Sequence, residues 1–477
     1  MRRSEAGEDQ DTLMSEQAAV APLQSRYFLL IPFVPSQAEP RALLIPRGGA
    51  LSLPFYDSQD GELWQSVAHV NRMARDSLGA DVTTLRCMQV AYDAESRRVT
   101  KTYAMENHNP DWTPPTGAGW YGAEAIDLLP PDQQTSLREW LAWMTETPGP
   151  LRAPWYQPGW YADALAWIDE QLNRLGYAEY TDDDSVEQTR VWQRSAIIRV
   201  RSRVGDLYFK ASPFIFNHEP LLTQWLSVVY PNRSPRVLAV APEQSWMLMR
   251  AFQGKMLDQH PDAARIVDMA RSFSRFQVEL VKEVDQLLAF GCPERRLGRI
   301  IADVDGLLAD TDAMLPGQPG GLTEDEISRL RGLAPRLKTL CNELDECGLP
   351  ASLEHGDFWT GNVTDTGSGF TFFDWSDSSV SHPLFSLGTL LDSLEEADPP
   401  AAPRTLQAVS AAYLEAWAAF APLDQLRRAL ELARPLTSLH LALLYHQAIL
   451  PWLEDKWEME HMLPFYVRKV LRHMDGT

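Results

Sequence analysis

One segment of the sequence combines acidic, amide and histidine side chains at a spacing suited to phosphoryl transfer. Residues 355–362 follow the pattern H-G-D-x-x-x-x-N, which places Asp357 five residues before Asn362. Phosphoryl transfer needs a carboxylate that orients the acceptor hydroxyl and ligands that hold magnesium on the phosphates. Asp374 ends an apolar β run twelve residues after Asn362, behind a predicted hairpin at 366–369. The sequence therefore predicts Asp357 as the catalytic base, with Asn362 and Asp374 as ligands of Mg²⁺.

The order of the two motifs, H-G-D-x-x-x-x-N and then F-x-D-W at 372–375, resembles the aminoglycoside phosphotransferase family of the protein-kinase-like superfamily. Gly356 stands where protein kinases usually have Arg, and Trp375 replaces the Phe-Gly of their D-F-G motif, which favours a small molecule over a protein as acceptor. The resemblance covers roughly 186–473 and implies ATP as phosphate donor, Mg²⁺ as metal and a hydroxyl acceptor. Either motif alone is compatible with an ordinary turn or strand end.

The same resemblance assigns candidate nucleotide-binding residues upstream. Lys210, on an apolar run at 207–210, is the candidate for the α/β-phosphates, and Glu219 in the following helix is its candidate ion-pair partner. No G-x-G-x-x-G precedes Lys210, so Ser195 is the candidate to meet phosphate through its backbone and hydroxyl. Met249 and Ala251 lie in a segment similar to the hinge that binds adenine. A solvated lysine on an edge strand and an ordinary buried strand are the alternative interpretations.

The order of the predicted helices and strands that position these residues indicates an α+β protein with a bilobal, protein-kinase-like fold. A small β-rich N-lobe with the hinge is predicted at 161–254, and a helical C-lobe with the catalytic loop at 255–477. A helix is predicted at 217–229, and one β segment, 353–374, interrupts the helical lobe. Apolar runs predict the N-lobe strands: 190–200, 207–210, 237–240 and 246–251.

Three further segments precede these lobes: a disordered tail at 1–24, a small α+β domain at 25–147 and a Pro-rich linker at 148–160. The α+β domain is similar in element order to Nudix hydrolases. That family normally uses three Glu to hold magnesium at a diphosphate, and this sequence has other residues there: Met73, Asp76 and Ser77. A non-hydrolytic, Nudix-like domain used for binding or association is predicted, and an unrelated α+β domain is the alternative.

Composition limits the partners and the compartment. A formal net charge of −22 argues against nucleic acid, whose phosphates require a basic surface. No apolar run is long enough to span a bilayer, and the N-terminus lacks a secretory pattern, so we expect a cytoplasmic protein without a membrane partner. The 4 cysteines form no C-x-x-C pair, which predicts buried thiols rather than a disulfide framework or a zinc site. No feature indicates the oligomeric state.

The acceptor is less well defined by the sequence. Six acidic residues and no Lys or Arg lie between 374 and 403, and a second acidic cluster at 454–460 adjoins Trp452 and Trp457. Such a surface favours an amine-bearing alcohol, but solvated helix faces have the same composition. Macrolides, homoserine, choline-like alcohols and sugars therefore stay open. Two other functions also stay open: a nucleotide-binding regulatory or scaffold protein of the same fold without turnover, and diphosphate hydrolysis by the N-terminal domain.

Overall fold

A computed structural model of the chain describes residues 24–33, 39–177, 185–399 and 402–475. The chain divides into two compact units, 1–213 and 214–477. The predicted disordered tail lies outside the described residues except for Gln24, which begins the first strand. The predicted domain bounds at 148–160 and 254 remain predictions.

The first unit is rich in strands, which form mostly antiparallel sheets. One sheet has the order β4-β1-β6-β5, with β1 and β6 parallel, and a smaller sheet has the order β3-β2-β7. Strand β9 pairs antiparallel with both β8 and β10. The strands are β1 (Gln24–Leu30), β2 (Ala42–Arg47), β3 (Ala50–Ser52), β4 (Phe55–Ser58), β5 (Val82–Asp93), β6 (Arg98–Asn107), β7 (Gly119–Tyr121), β8 (Val186–Trp192), β9 (Ser195–Ser202) and β10 (Gly205–Ala211).

Among its described residues, this unit has three α-helices: α1 (Ala68–Leu78), α2 (Pro131–Thr145) and α3 (Trp160–Leu175). A buried amide network joins α1 to β5 and β8. The side-chain oxygen of Gln188 accepts hydrogen bonds from the Asn71 side chain at 3.0 Å and from the Thr84 backbone N–H at 2.9 Å. Because buried polar groups need partners, this network fixes β8 against the preceding elements of the unit. The predicted Nudix resemblance stays a prediction.

The predicted single strand at 190–200 is wrong, because the structure has two strands there. The turn at Gln193 and Arg194 separates β8 from β9, and Trp192 pairs directly with Ser195. The Trp192 indole N–H donates to the Ser195 hydroxyl at 2.8 Å, a bond across the turn that sequence alternation does not reveal. A further turn at Arg203 and Val204 separates β9 from β10, and Gly205, which follows it with φ +97°, pairs with Ser202.

The second unit begins with a helix at 218–229, continues with short strands and is then mainly helical, apart from short strands between 352 and 381. The predicted fold class, a sheet-rich N-terminal region followed by a helical C-terminal region, is confirmed. Its strands are β11 (Val237–Ala241), β12 (Trp246–Arg250), β13 (Lys255–Met256), β14 (Ser352–Glu354), β15 (Val363–Asp365), β16 (Phe370–Phe372) and β17 (Ser379–Ser381). Its helices are α4 (His218–Val229), α5 (Ala263–Leu280), α6 (Val284–Ala289), α7 (Leu297–Ala309), α8 (Glu324–Asp345), α9 (Leu384–Ala397), α10 (Ala402–Glu415), α11 (Leu423–Leu444) and α12 (Met462–Asp475).

Aromatic side chains form the part of the core that lies beneath the predicted catalytic loop. Phe273 of α5 stacks on Phe358 of the loop with ring centroids 3.9 Å apart. Phe372 of β16 meets Phe273 edge to face at 5.0 Å, and Trp375 is fully buried beside them. Buried aromatic pairs contribute about 0.5–1.5 kcal/mol beyond their area. This cluster therefore anchors both the loop and the segment that carries Asp374 to α5.

The predicted buried thiols are confirmed, since all four cysteines are free and buried. Burial raises the pKa of Cys292 and of Cys341 to about 12, so both stay protonated at neutral pH. Within the described ranges, no helix has both the length and the apolar character needed to cross a membrane.

Buried His382 should make the protein sensitive to acid. Burial lowers the pKa of His382 to about 3, so the folded chain keeps the ring neutral while the unfolded chain binds a proton below about pH 6.5. Stability is therefore lost as pH falls from about 6.5 toward 3. We expect His382→Asn to remove about 2 kcal/mol of the stability difference between pH 7 and pH 5. Urea unfolding of both proteins at both pH values measures this stability difference. An equal loss in both proteins would contradict the prediction.

Candidate active site

The segment 355–362 forms a tight loop between β14 and β15, and the buried ring of His355 holds it in place. Burial lowers the pKa of His355, although the nearby charges of Glu354 and Asp374 oppose that shift. The ring is therefore neutral, and its Nε2–H donates to the Phe373 carbonyl at 3.0 Å. This bond joins the loop to the residue that precedes Asp374.

Gly356 has no room for a side chain. Its φ is +79°, a conformation that favours glycine, and an added Cβ would lie 2.2 Å from the carbonyl oxygen of Asp377. The loop backbone thus runs directly against the segment that follows Asp374. This contact explains why glycine replaces the arginine usual in protein kinases: the residue before Asp357 must be glycine here.

Asp357 and Asn362 are in direct contact. The Asn362 side-chain amide donates to the Asp357 carboxylate at 2.9 Å and to the Asp357 carbonyl at 2.8 Å. Both partners accept hydrogen bonds, so the NH₂ group of Asn362 must face them and its amide oxygen points the other way. Asp357 is exposed, which its predicted contact with an acceptor requires, whereas Asn362 is buried.

Asp374 is brought to Asn362 by the hairpin of β15 and β16. Val363 pairs with Phe372, and one step further the Phe373 N–H donates to the Asn362 carbonyl at 3.2 Å. Asp374 follows with φ +63°, a left-handed conformation that is uncommon outside glycine and is found at functional sites. The Ser376 hydroxyl donates to its carboxylate at 3.1 Å. The structure thus brings three predicted residues together: Asp357, Asn362 and Asp374.

Asn362 and Asp374 offer an amide oxygen and a carboxylate, the hard oxygen donors that Mg²⁺ takes, and Mg²⁺ normally completes its shell with phosphates and water. Among the described residues, no group of three or more His, Cys, Asp or Glu side chains is arranged to hold a metal. The two side chains are thus oxygen donors of the type that Mg²⁺ takes.

The predicted hinge segment packs against the hairpin of β15 and β16. Met249 is buried in β12, and half-buried Ala251 follows that strand. Phe252 stacks on Phe373 with ring centroids 4.3 Å apart. Gly254 has φ +93°, and an added Cβ would lie 2.2 Å from the carbonyl oxygen of Asp365. The segment after β12 therefore packs directly on the hairpin that carries Asn362 and Asp374.

The other nucleotide-side candidates are divided between the units. Lys210 lies on β10 in the first unit and is 7% exposed, and Ser195 begins β9 there, with its hydroxyl accepting the Trp192 bond described above. Glu219 is fully buried in the first turn of α4, in the second unit. His218, beside Glu219, lies 3.3 Å from the Ser378 hydroxyl, which itself donates to the Trp375 carbonyl. The α4 terminus therefore contacts the segment after Asp374.

The predicted acidic surface at 374–403 is only partly available to a cation. Arg434 of α11 contacts Asp392 at 2.8 Å and Glu395 at 3.2 Å, and Lys469 of α12 contacts Glu396 at 2.6 Å. Burial would raise the pKa of Asp392, but a hydrogen bond from His473 and the charges of Lys469 and Arg434 lower it instead. Three of the acids in this run are thus paired with cations of the same unit.

Glu354, directly before the loop, is a residue that the motif did not reveal. Its carboxylate is fully buried and accepts a 2.8 Å hydrogen bond from the Gly356 N–H. The signal in the sequence is a single charged residue in the short run Ser352-Leu353-Glu354. A charged residue is rarely buried without partners, so a glutamate in this short run indicates partner groups around it.

Residues 222–423 match the model of the phosphotransferase enzyme family APH. The matched region contains the loop, Asn362 and Asp374, and the match confirms the predicted resemblance to this family. The family's description, phosphotransferase enzymes, agrees with the predicted enzyme class. A search of curated proteins finds no significant match.

Several solved structures are similar to part of the chain. A choline/ethanolamine kinase family protein from Mesorhizobium loti is 16% identical, with 65% of this chain and 95% of that chain covered and a TM-score of 0.45. A macrolide 2′-phosphotransferase from Brachybacterium faecium is 15% identical, with 65% and 98% covered and a TM-score of 0.43. A choline kinase from Cryptosporidium parvum is 12% identical, with 65% and 96% covered and a TM-score of 0.47.

Proposed function

We propose that this protein transfers the γ-phosphoryl group of Mg-ATP to a hydroxyl of a small molecule. The observation that carries the proposal is the bonded arrangement of the exposed Asp357 carboxylate, the Asn362 amide and the segment leading into Asp374. An orienting carboxylate beside two oxygen donors for a metal is what phosphoryl transfer requires.

Asp357 accepts the proton of the acceptor hydroxyl in this mechanism. The acceptor oxygen forms a bond to the γ-phosphorus, the bond from that phosphorus to the β–γ bridging oxygen breaks, and ADP leaves with the electron pair. Asn362 orients the Asp357 carboxylate through its 2.9 Å hydrogen bond, and its own amide oxygen faces away from Asp357. Bound Mg²⁺ would be held by Asn362 and Asp374 and would neutralise charge on the phosphates.

The nucleotide side of the proposal rests on the family resemblance. Lys210 would bind the α/β-phosphates with Glu219 as its partner, Ser195 would contact phosphate, and the backbone at Met249 and Ala251 would bind the base. The acceptor is a small alcohol. The ion pairs of Asp392, Glu395 and Glu396 reduce the electrostatic attraction of the 374–403 run for a cation. A cationic acceptor would therefore depend on the other acids of this run or on the second cluster at 454–460.

A panel of amino alcohols, aminoglycosides, macrolides and sugars with Mg-ATP tests the function directly. We expect ADP release that depends on one acceptor class, with the phosphorylated acceptor identified by mass spectrometry. Thermal stabilisation by Mg-ATP without ADP release on any acceptor would instead favour a nucleotide-binding scaffold.

Replacement of Asp374 tests the metal site. Asparagine adopts left-handed conformations as aspartate does, so Asp374→Asn keeps the backbone at φ +63° and removes the charge. We expect the Mg²⁺ concentration for half-maximal turnover to rise at least about tenfold, equivalent to about 1.4 kcal/mol of binding free energy. ADP release as a function of Mg²⁺ at saturating ATP measures this.

A matched control is Asp305→Asn, because Asp305 is an exposed carboxylate on α7 paired with Lys338. Surface pairs of this kind contribute little, so its Mg²⁺ dependence should equal that of the unmodified protein. If Asp374→Asn gave the same Mg²⁺ curve as this control, Asp374 would not be a metal ligand.

A further inference from the structure

The buried carboxylate of Glu354 lies at the end of β14, one residue before the catalytic loop begins, and it is fully inaccessible to solvent. Four donors surround it: the Gly356 N–H at 2.8 Å, the Ser386 hydroxyl at 3.1 Å, His440 Nε2 at 3.3 Å and the Ser379 hydroxyl at 3.4 Å. A carboxylate with this many hydrogen bonds is fully satisfied although it is buried.

These donors come from separate elements of the second unit. Ser386 belongs to α9, Ser379 to β17 and His440 to α11, while Gly356 belongs to the loop itself. The Ser386 hydroxyl also accepts the His355 N–H at 3.0 Å, so a second loop residue is bound through the same cluster. One side chain thus connects the loop backbone to two helices and a strand.

The carboxylate keeps its charge. Burial would raise the pKa of Glu354, but the hydrogen bond from His440 and its charge, together with the Gly356 N–H, lower it. A charged acceptor makes a shorter and stronger hydrogen bond to a backbone N–H than a neutral one does. The Gly356 backbone is therefore bonded to Glu354 at its N–H and confined at its Cα by the Asp377 carbonyl.

We propose that Glu354 is a positioning residue for phosphoryl transfer, because it fixes the Gly356 peptide and thereby the direction in which Asp357 presents its carboxylate to the acceptor. This inference rests on the proposed role of Asp357. Glu354 itself touches neither nucleotide nor acceptor: its bonds go to the loop backbone and to the scaffold elements. Its effect is therefore on alignment, and misalignment of a catalytic group by about 1 Å lowers turnover by about 10²-fold.

Replacement of Glu354 by an apolar residue of similar length tests the proposal. In Glu354→Met the Gly356 N–H and the Ser386 hydroxyl lose their acceptor. We expect kcat per folded molecule to fall by about 10²-fold, with KM for Mg-ATP unchanged, because nucleotide contacts are untouched. Glu354→Gln should restore most of the turnover, since its amide oxygen can still accept from Gly356. Circular dichroism at the assay temperature gives the folded fraction.

Two further variants complete the series. Ser379→Ala removes only the longest of the four hydrogen bonds to Glu354, and Ser379 lies outside the loop. This variant should therefore keep kcat near that of the unmodified protein. Ser386→Ala removes a donor to Glu354 and the acceptor of the His355 N–H. This variant takes the place of Glu354→Met in the test if Glu354→Met does not fold. Unchanged kcat per folded molecule in Glu354→Met and Ser386→Ala would overturn the proposal, as would a loss confined to KM for ATP.

A readout that does not need turnover separates this proposal from the proposed function. Hydrogen–deuterium exchange of peptides within 354–363 should be faster in Glu354→Met than in the unmodified full-length protein, with peptides of the first unit unchanged. If no acceptor gives turnover, the kinase proposal fails, and the exchange result then decides whether Glu354 orders the loop. Equal exchange in that case would overturn the positioning role.

Discussion

Asp357→Asn should lower turnover by about 10³-fold, the range of general base catalysis by a single side chain. The asparagine can present its amide oxygen to the Asn362 NH₂ group, which now donates to the Asp357 carboxylate at 2.9 Å. The loop geometry is then kept while the proton acceptor is lost. Mg-ATP binding should stay within about twofold of its original affinity, because a group that acts only on the acceptor contributes little to nucleotide binding.

Initial rates of ADP release and isothermal titration with a non-hydrolysable ATP analogue measure the two quantities. Asp305→Asn again serves as a matched exposed carboxylate whose loss should leave both unchanged. Turnover at the original rate in Asp357→Asn would remove Asp357 from the mechanism. Loss of nucleotide affinity in parallel with turnover would assign it to phosphate or metal binding instead.

Gly356→Ala should be among the most destabilising substitutions in the second unit. The added Cβ would lie 2.2 Å from the Asp377 carbonyl oxygen, and φ is +79°. The left-handed conformation costs about 1–2 kcal/mol for a residue with a Cβ, and the overlap adds about 1–3 kcal/mol. We expect the free energy of unfolding to fall by about 3 kcal/mol, with nearly complete loss of turnover because relief of the overlap displaces Asp357.

Gly367→Ala separates these two costs. Gly367 has φ +82° at the exposed tip of the β15–β16 hairpin, and an added Cβ would meet nothing within 4 Å. Only the conformational cost applies there, so a loss of about 1 kcal/mol is expected, with turnover retained. Urea unfolding of the two variants side by side measures the difference. Equal losses would show that the loop can move away from Asp377 at no cost.

The geometry of the candidate site was predictable because its residues are close together in the sequence. The pattern from His355 to Asn362 and the apolar run before Asp374 imply a loop and a hairpin, and a two-stranded hairpin with a short turn necessarily brings its ends together. Asn362 and Asp374 flank that hairpin, so their proximity follows from its register. The side-chain contact of Asn362 with Asp357 follows from the short loop.

Other features depend on long-range packing and could not be predicted in the same way. The partners of Glu354 include Ser386 and His440, on helices 32 and 86 residues later in the chain. The split of 190–200 into two strands depends on a turn without glycine or proline at Gln193 and Arg194. The pairing of Asp392 with Arg434 could likewise not be predicted from composition, because the acidic run 374–403 does not include its cationic partner.

The buried thiols make the protein convenient to label. Every native cysteine is enclosed, and burial raises the pKa of Cys292 and Cys341 far above neutrality, so maleimides should react poorly with the folded chain. Ser368 is exposed beside Gly367, between the strands that lead to Asn362 and Asp374. A fluorophore attached after Ser368→Cys would therefore lie at one defined point of the hairpin, where it could report nucleotide arrival in real time.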